Sequence, residues 1–162
     1  MTIGKIISSR TTISTLIYIL ATSPFSALAD NSPLQQITKV DQHDIHHALD
    51  SNFSGSAKFS RYPTLPSSGD IALAVVHFEA NTITSWHTHK HGQYLIVTSG
   101  EGRTQEWGQP VQTLNVGDTV WCPPGVKHWH GASQDQAMSH IAISPISTDG
   151  PSVTWLEEVE LD

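Results

Sequence analysis

The sequence predicts an all-β sandwich or barrel, and two observations support that prediction. Short apolar stretches follow one another closely, and the strongest of them, Ile71 to Phe78, has the composition of a strand. Runs rich in glycine and proline separate these stretches, such as Gly108-Gln109-Pro110 and Pro123-Pro124-Gly125. Short strands at close spacing with turns of this kind are typical of a single antiparallel β domain.

The first 29 residues are predicted to be a secretory signal peptide. Lys5 and Arg10 precede an apolar stretch, and Ala27-Leu28-Ala29 places small residues where a signal peptidase cleaves. A membrane anchor is the alternative, but the apolar stretch is short and Ser23-Pro24 interrupts it. We therefore expect cleavage before Asp30 and export to a periplasm or to the outside of the cell.

The rest of the chain is predicted to have two parts. Residues 30–52 form a polar lead-in with a short helix, because Ile45, Ala48 and Leu49 recur at helical spacing between Asp41 and Leu49. Residues 53–162 form the β domain. Its strands are predicted over residues 71–78, 83–89, 93–98, 103–107, 111–114, 119–122, 128–130, 138–143 and 153–156.

Composition narrows the classes of partner. The chain of 162 residues carries 15 acidic and 8 basic side chains, for a net charge of −7. An acidic protein is a poor ligand for nucleic acids and for anionic membranes, so we expect neither as a partner. Cys122 is the only cysteine, so no disulfide can form within the chain.

Histidines recur at strand spacing in two separate segments. His87 and His89 are two residues apart, as are His128 and His130. Side chains on a strand alternate between its faces, so each pair points to one side. Four imidazoles from two strands predict a metal site, since neutral imidazole binds Zn, Mn, Fe, Ni and Cu. The alternative is a set of solvated histidines that titrate near neutral pH.

These segments resemble the two motifs of the cupin family. The run His87-x-His89-x3-Gln93-x6-Gly100 is similar to the first motif, and Gly117-x5-Pro123-x-Gly125-x2-His128 is similar to the second. The resemblance implies a double-stranded β-helix, also called a jelly-roll barrel. It also implies one divalent metal ion inside the barrel, held by His87, His89, Gln93 and His128.

Gln93 departs from the usual cupin motif, which has glutamate at that position. With this glutamine and with several short segments, among them Trp86-His87-Thr88-His89 and Lys127-His128-Trp129-His130, the chain resembles the small bacterial cupins that include manganese-dependent hydroxynitrile lyases. This resemblance implies manganese first and iron second, with zinc, nickel and copper left open. An amide in place of a carboxylate leaves the metal site more positive and a stronger Lewis acid.

The same resemblance implies roles for further residues. His130 and His140 would lie beside the metal, with His140 moving a proton and His130 orienting the substrate or holding released cyanide. The alternatives are that His130 orients a ligand and that His140 is a buried structural histidine. Ala74 and Val76 would line the substrate pocket and set its size.

Three functions follow from this resemblance. The first is a hydroxynitrile-lyase-like enzyme that cleaves a small cyanohydrin reversibly. The second is an iron- or manganese-dependent oxidoreductase, such as a dioxygenase, and the third is a cupin that binds a metal or ligand without catalysis. The expected partners are a small-molecule substrate and a second copy of the chain, paired through the N-terminal strands within Phe53 to Tyr62.

Overall fold

The computed structural model describes residues 35–63 and 69–161. The predicted signal peptide, residues 1–29, lies outside the described residues. None of the helices in the described ranges is long and apolar enough to cross a membrane. The strands of this part of the chain are β1 (Ile45–His47), β2 (Ala57–Arg61), β3 (Ile71–Phe78), β4 (His87–His89), β5 (Gln93–Gly100), β6 (Gly102–Glu106), β7 (Gln112–Leu114), β8 (Thr119–Cys122), β9 (His128–Ala132), β10 (Met138–Pro145) and β11 (Val153–Trp155).

The strands form two antiparallel sheets, which confirms the predicted all-β fold. One sheet has six strands in the order β1-β2-β3-β10-β5-β8, and the other has five in the order β11-β4-β9-β6-β7. In the first sheet, β10 lies between β3 and β5, which are far from it in sequence. Such long-range pairings within antiparallel sheets are typical of a jelly roll.

The prediction of a helix over residues 41–49 was wrong. Only a single 3-10 turn forms, at Val40–Gln42, and Ile45–His47 is a strand that pairs with β2. The helical spacing of apolar residues has no buried face to match it, because Ile45 and Leu49 are 64% and 68% exposed. Backbone pairing with β2, and stacking of His46 on Phe59, favour the strand. Tertiary pairing overrides local propensity here.

The remaining strand boundaries differ from the predicted ones mainly at one place. Strands β3 and β8 have the predicted limits, whereas the stretch predicted over residues 83–89 is a strand only at His87–His89. Ile83 makes an isolated bridge to Gly131, and the backbone of Trp86 bonds instead to the C-terminal segment. The chain therefore enters the barrel wall just before the first histidine.

Strand β1 is one edge of the larger sheet, and β8 is the other. Strand β2 lies between β1 and β3, so both of its sides are paired within the chain. A second copy that approached through the N-terminal strands would therefore meet β1 at the free edge, rather than β2. The homodimer remains a prediction.

Apolar packing closes one end of the barrel beneath the histidines. Phe78, which is fully buried, lies near the centre of this packing, and its ring is 5.5 Å from that of His140 and 5.8 Å from that of His130. At the other end of β3, Ala74 and Val76 face a cavity of about 530 Å³. The buried residues of this packing are Ala57, Phe78, Val97, Leu114, Ala132 and Met138.

Tryptophans on the reverse face of the smaller sheet hold the histidine strands in place. Trp86 and Trp129 are both buried and pack with Ile83 and Val159, away from the cavity. Because side chains alternate along a strand, fixing Trp129 outside directs His128 and His130 inward. Burial of two tryptophans contributes several kcal/mol to this arrangement, at roughly 25 cal/mol per Å² of apolar surface.

Candidate metal centre

Five histidines and one glutamine converge inside the barrel from four strands. His87 and His89 lie on β4, His128 and His130 on β9, His140 on β10 and Gln93 on β5. All six side chains are buried. Strands β4 and β9 are neighbours, and His87 lies directly opposite His128 in their register. The structure thus brings together every histidine and the glutamine that the sequence motifs single out.

The tightest group among them consists of His87, His128 and His130. These three residues offer nitrogen atoms that all lie within 4.8 Å of one another. The rings of His87 and His128 are the closest pair, with centroids 4.3 Å apart. The ring of His89 is 5.2 Å from that of His87 and 5.6 Å from that of His128. The structure therefore places His130 as well as His89 beside the two central imidazoles.

Backbone acceptors orient the two central rings. The Nδ1 atom of His87 donates to the carbonyl oxygen of Ser85 at 2.9 Å, and Nδ1 of His128 donates to that of Val126 at 2.9 Å. Each bond leaves Nε2 as the ring nitrogen with a free lone pair. Metal-binding histidines typically make this contact, because it fixes the tautomer and the direction of the ring.

Several buried polar atoms here have no hydrogen-bond partner among the described residues. They are both ring nitrogens of His89, Nε2 of His128, Nδ1 of His140 and the amide oxygen of Gln93. Leaving a buried acceptor unpaired costs about 1–3 kcal/mol, so such a cluster is expected only where something else satisfies it. Imidazole nitrogens with one amide oxygen are suitable donors for a divalent transition metal. The residues therefore fit the metal that the cupin motifs imply.

Burial keeps these imidazoles neutral. It lowers the pKa of His89 to about 4, with the neighbouring His128 adding to the effect, and it lowers the pKa of His87 well below its usual value. Removal from water disfavours the charged form of a histidine, and neighbouring imidazoles disfavour it further. At neutral pH the nitrogens therefore keep the lone pairs that a metal requires.

His130 and His140 form a hydrogen-bonded pair. Nε2 of His140 is 3.3 Å from Nδ1 of His130, and both side chains are buried. His130 also approaches the ligand candidates, with its ring 5.2 Å from that of His87. Burial lowers the pKa of His140 to about 4 and that of His130 well below its usual value. The pair therefore joins the histidine cluster to β10 through two neutral rings.

The cavity above the histidines is largely apolar. Ala74 and Val76 line it, together with Phe53, Phe59 and Trp155. Trp155 lies opposite His87 in the pairing of β11 with β4, and their rings are 4.8 Å apart. Sequence reasoning missed these three aromatic residues as pocket residues. No local signal marks them, because their position depends on strands that pair across the fold.

Ser144 is predicted to set the orientation of Gln93. The amide nitrogen of Gln93 donates to the Ser144 hydroxyl group at 3.3 Å, which leaves the amide oxygen for the metal. We expect Ser144→Ala to weaken metal affinity about tenfold, as removal of a group that orients a ligand typically does. Competition with a chromophoric chelator measures that affinity.

Ser139→Ala supplies the matched control for this experiment. Ser139 lies on the same strand, but its side chain bonds to His77 on the other face of the sheet. Its replacement is expected to leave the metal affinity unchanged. Equal affinities in the two variants would show that Ser144 does not position the amide.

Comparison with known proteins gives a consistent result. The sequence model of the cupin domain family matches residues 74–144. An (R)-mandelonitrile lyase from Granulicella tundricola is 44% identical over 107 residues, which are 66% of this chain and 81% of the relative. The solved structure of a cupin-like protein from Thermotoga maritima is 38% identical, with a TM-score of 0.66 over 70% of this chain and 86% of the other.

More distant structures share the fold alone. A polyketide cyclase from Streptomyces resistomycificus is 14% identical and has a TM-score of 0.63 over 80% of this chain and 88% of its own. The barrel topology, the two histidine motifs and the similarity to the lyase over most of its length lead to one assignment. This chain belongs to the cupin family.

Proposed function

We propose that this chain is a metal-dependent cupin that cleaves cyanohydrins reversibly into an aldehyde and hydrogen cyanide. We propose manganese as its metal, with iron as the second choice. The observation that carries the proposal is the buried His130–His140 pair, which lines an apolar cavity together with unpartnered metal donors. The 44% identity to an (R)-mandelonitrile lyase supports the reaction type.

The cavity suits a small aromatic substrate. Its volume of about 530 Å³ is in the range of pockets that enclose small molecules. Phe53, Phe59 and Trp155 present aromatic surface, and Val76 lies near them on the wall. Aromatic rings packed edge-to-face or offset add about 0.5–1.5 kcal/mol beyond burial. An aryl cyanohydrin such as mandelonitrile would place its ring against these side chains and its polar end at the histidines.

The chain's own residues supply the proton transfer. A divalent metal bound at the donor set would act as a Lewis acid and make a nearby hydroxyl group more acidic. The His130–His140 pair accepts the hydroxyl proton as the carbon–cyanide bond breaks and the carbonyl forms. Cyanide leaves with the electron pair of that bond and takes the proton back from the pair. Because both imidazoles are neutral at pH 7, the pair can accept one proton and return it.

Replacement of His140 tests the proposed role of the pair. We expect His140→Gln to lower kcat for cyanide release from mandelonitrile about 100-fold or more, the usual contribution of a positioned acid or base. KM and the metal content should change little, because His140 is not one of the proposed metal ligands. A colorimetric cyanide assay and elemental analysis of the same samples measure both quantities.

His77→Gln is the matched control, since His77 lies on the adjacent strand and bonds to Ser139 outside the barrel. It should retain the wild-type rate. The lyase proposal fails if manganese-loaded wild-type protein releases no cyanide above the level of the His140 variant. Oxygen consumption with an electron-rich substrate, in the absence of cyanide release, would favour the oxidoreductase instead.

A further inference from the structure

The cavity differs in charge from the rest of the protein. The chain has 15 acidic residues against 8 lysines and arginines, yet none of the residues that line the cavity is an aspartate or a glutamate. The lining contains one permanent cation, Arg61, and six histidines. A single cation in a lining without carboxylates favours anions there, although the chain as a whole is acidic. The histidines are His46, His47, His87, His89, His130 and His140.

Arg61 is an exposed residue that lines the cavity. It is the last residue of β2 and lies opposite Ala74 in the register with β3, and the next inward pair is Phe59 opposite Val76. Side chains opposite each other on paired strands share a face, so Arg61 belongs to the same wall as Ala74. Its guanidinium group is 5.1 Å from the centre of the Phe59 ring. The cation is thereby held above the aromatic part of the cavity.

The charge of Arg61 has no carboxylate partner in the described ranges. The ion pairs there involve His77, Lys90 and Lys127, and no carboxylate lies within 4.0 Å of Arg61. Asp44, which precedes β1, is the acidic residue that the register of β1 with β2 brings nearest, and it forms no ion pair with Arg61. A guanidinium group presents two parallel N–H donors that match a carboxylate. Arg61 therefore offers an unused carboxylate site in the cavity lining.

We propose that the cavity selects small aromatic or apolar molecules that carry a carboxylate, which Arg61 binds. The Phe59 ring beneath the guanidinium and the apolar wall of Val76 contact the body of such a molecule. The substrates of the proposed lyase activity, on which this inference rests, are then aldehydes with a distal carboxylate and the corresponding cyanohydrins.

Binding of two matched probes to the metal-loaded protein tests this proposal. 4-Methylbenzoate and 4-methylbenzamide have nearly the same shape, but only the first is an anion. Isothermal titration calorimetry should show the anion binding about tenfold more tightly, the expected effect of one charge-assisted contact. Arg61→Gln should bring the two affinities within about twofold of each other, and Arg61→Lys should keep part of the preference.

Asp44→Asn is the matched control, because it removes a charge beside Arg61 and leaves the guanidinium in place. Its preference for the anion should equal or exceed that of the wild type. Thermal melts and metal content, compared across the variants, identify any that fail to fold. Equal binding of both probes by the wild type would overturn the proposal. A preference that survives in Arg61→Gln and disappears when a chelator removes the metal would place the carboxylate at the histidines and would also overturn it.

This binding test separates the inference from the lyase proposal. If the protein releases no cyanide but keeps a preference that depends on Arg61, the reaction is wrong and the carboxylate site stands. If it releases cyanide and Arg61→Gln leaves kcat/KM unchanged for 4-formylbenzoate cyanohydrin relative to mandelonitrile, the carboxylate site is wrong and the reaction stands.

Discussion

His128→Ala is expected to leave the protein without stoichiometric metal and to lower cyanide release more than 100-fold. His128 is buried, its Nδ1 bonds to the Val126 carbonyl group, and its Nε2 has no partner in the described part of the chain. Loss of a direct ligand should exceed the 10- to 100-fold effect of removing a group that orients one. Elemental analysis after dialysis against a fixed metal concentration measures the first effect, and the cyanide assay measures the second.

The exposed His91 provides the control for this prediction. His91→Ala removes an imidazole from the same segment of sequence, and both metal content and rate should match the wild type. Wild-type metal content in His128→Ala would contradict the ligand assignment.

The same measurement distinguishes a ligand set that contains His89 from one that contains His130. His89→Ala should lose metal, whereas His130→Ala should retain it, because the cupin motifs assign the ligand positions to His87, His89 and His128. The opposite result would assign the third imidazole to His130, whose nitrogens lie within 4.8 Å of those of His87 and His128.

Metal-free protein is expected to lose stability as the pH falls from about 6.5 towards 4. The unfolded chain takes up protons at the ordinary histidine pKa of 6.5, whereas burial lowers the folded pKa of His89 and His140 to about 4. Between these values the unfolded state binds more protons than the folded state, so the free energy of unfolding decreases as the pH decreases. This stability is fully present above pH 6.5, and the loss levels off below about pH 4.

The contribution of His140 to this pH dependence of stability is large enough to measure. A shift from 6.5 to about 4 at His140 corresponds to about 3 kcal/mol, since one pKa unit is worth 1.36 kcal/mol. Urea unfolding of metal-free protein at pH 7.5 and at pH 4.5, followed by circular dichroism, gives the two free energies. His140→Phe should reduce the difference between them, and His91→Gln should not. A urea midpoint that stays constant over this range would contradict the prediction.

The sequence alone was sufficient to predict which side chains converge inside the barrel, for a local reason. His87 and His89 must share a face wherever their segment is a strand, because side chains alternate along the backbone. Turn residues such as Pro123 and Gly125 precede the second histidine strand, and β9 begins at His128 as the pattern predicts. The fold class follows from the same evidence, since closely spaced strands with such turns have few ways to bury their apolar faces.

The N-terminal segment shows where sequence reasoning failed. Ile45, Ala48 and Leu49 satisfy the spacing of an amphipathic helix, but Ile45–His47 is an edge strand beside β2. A short apolar pattern is compatible with either structure, and the availability of a partner strand decides between them. The sequence does not show which strands are neighbours, so it could not show that His46 would stack on Phe59 in the lining of the cavity.

The sequence by itself therefore determined the strand pattern, the two histidine motifs and the strand faces on which their side chains lie, all of which depend on residues close together in the chain. Only the tertiary structure decided that His130 pairs with His140, that Trp155 packs on His87, and that Arg61 lines a cavity without carboxylates. Each of these contacts joins residues brought together by pairing between distant strands. Their geometry depends on the register and packing of the whole barrel, which no local pattern encodes.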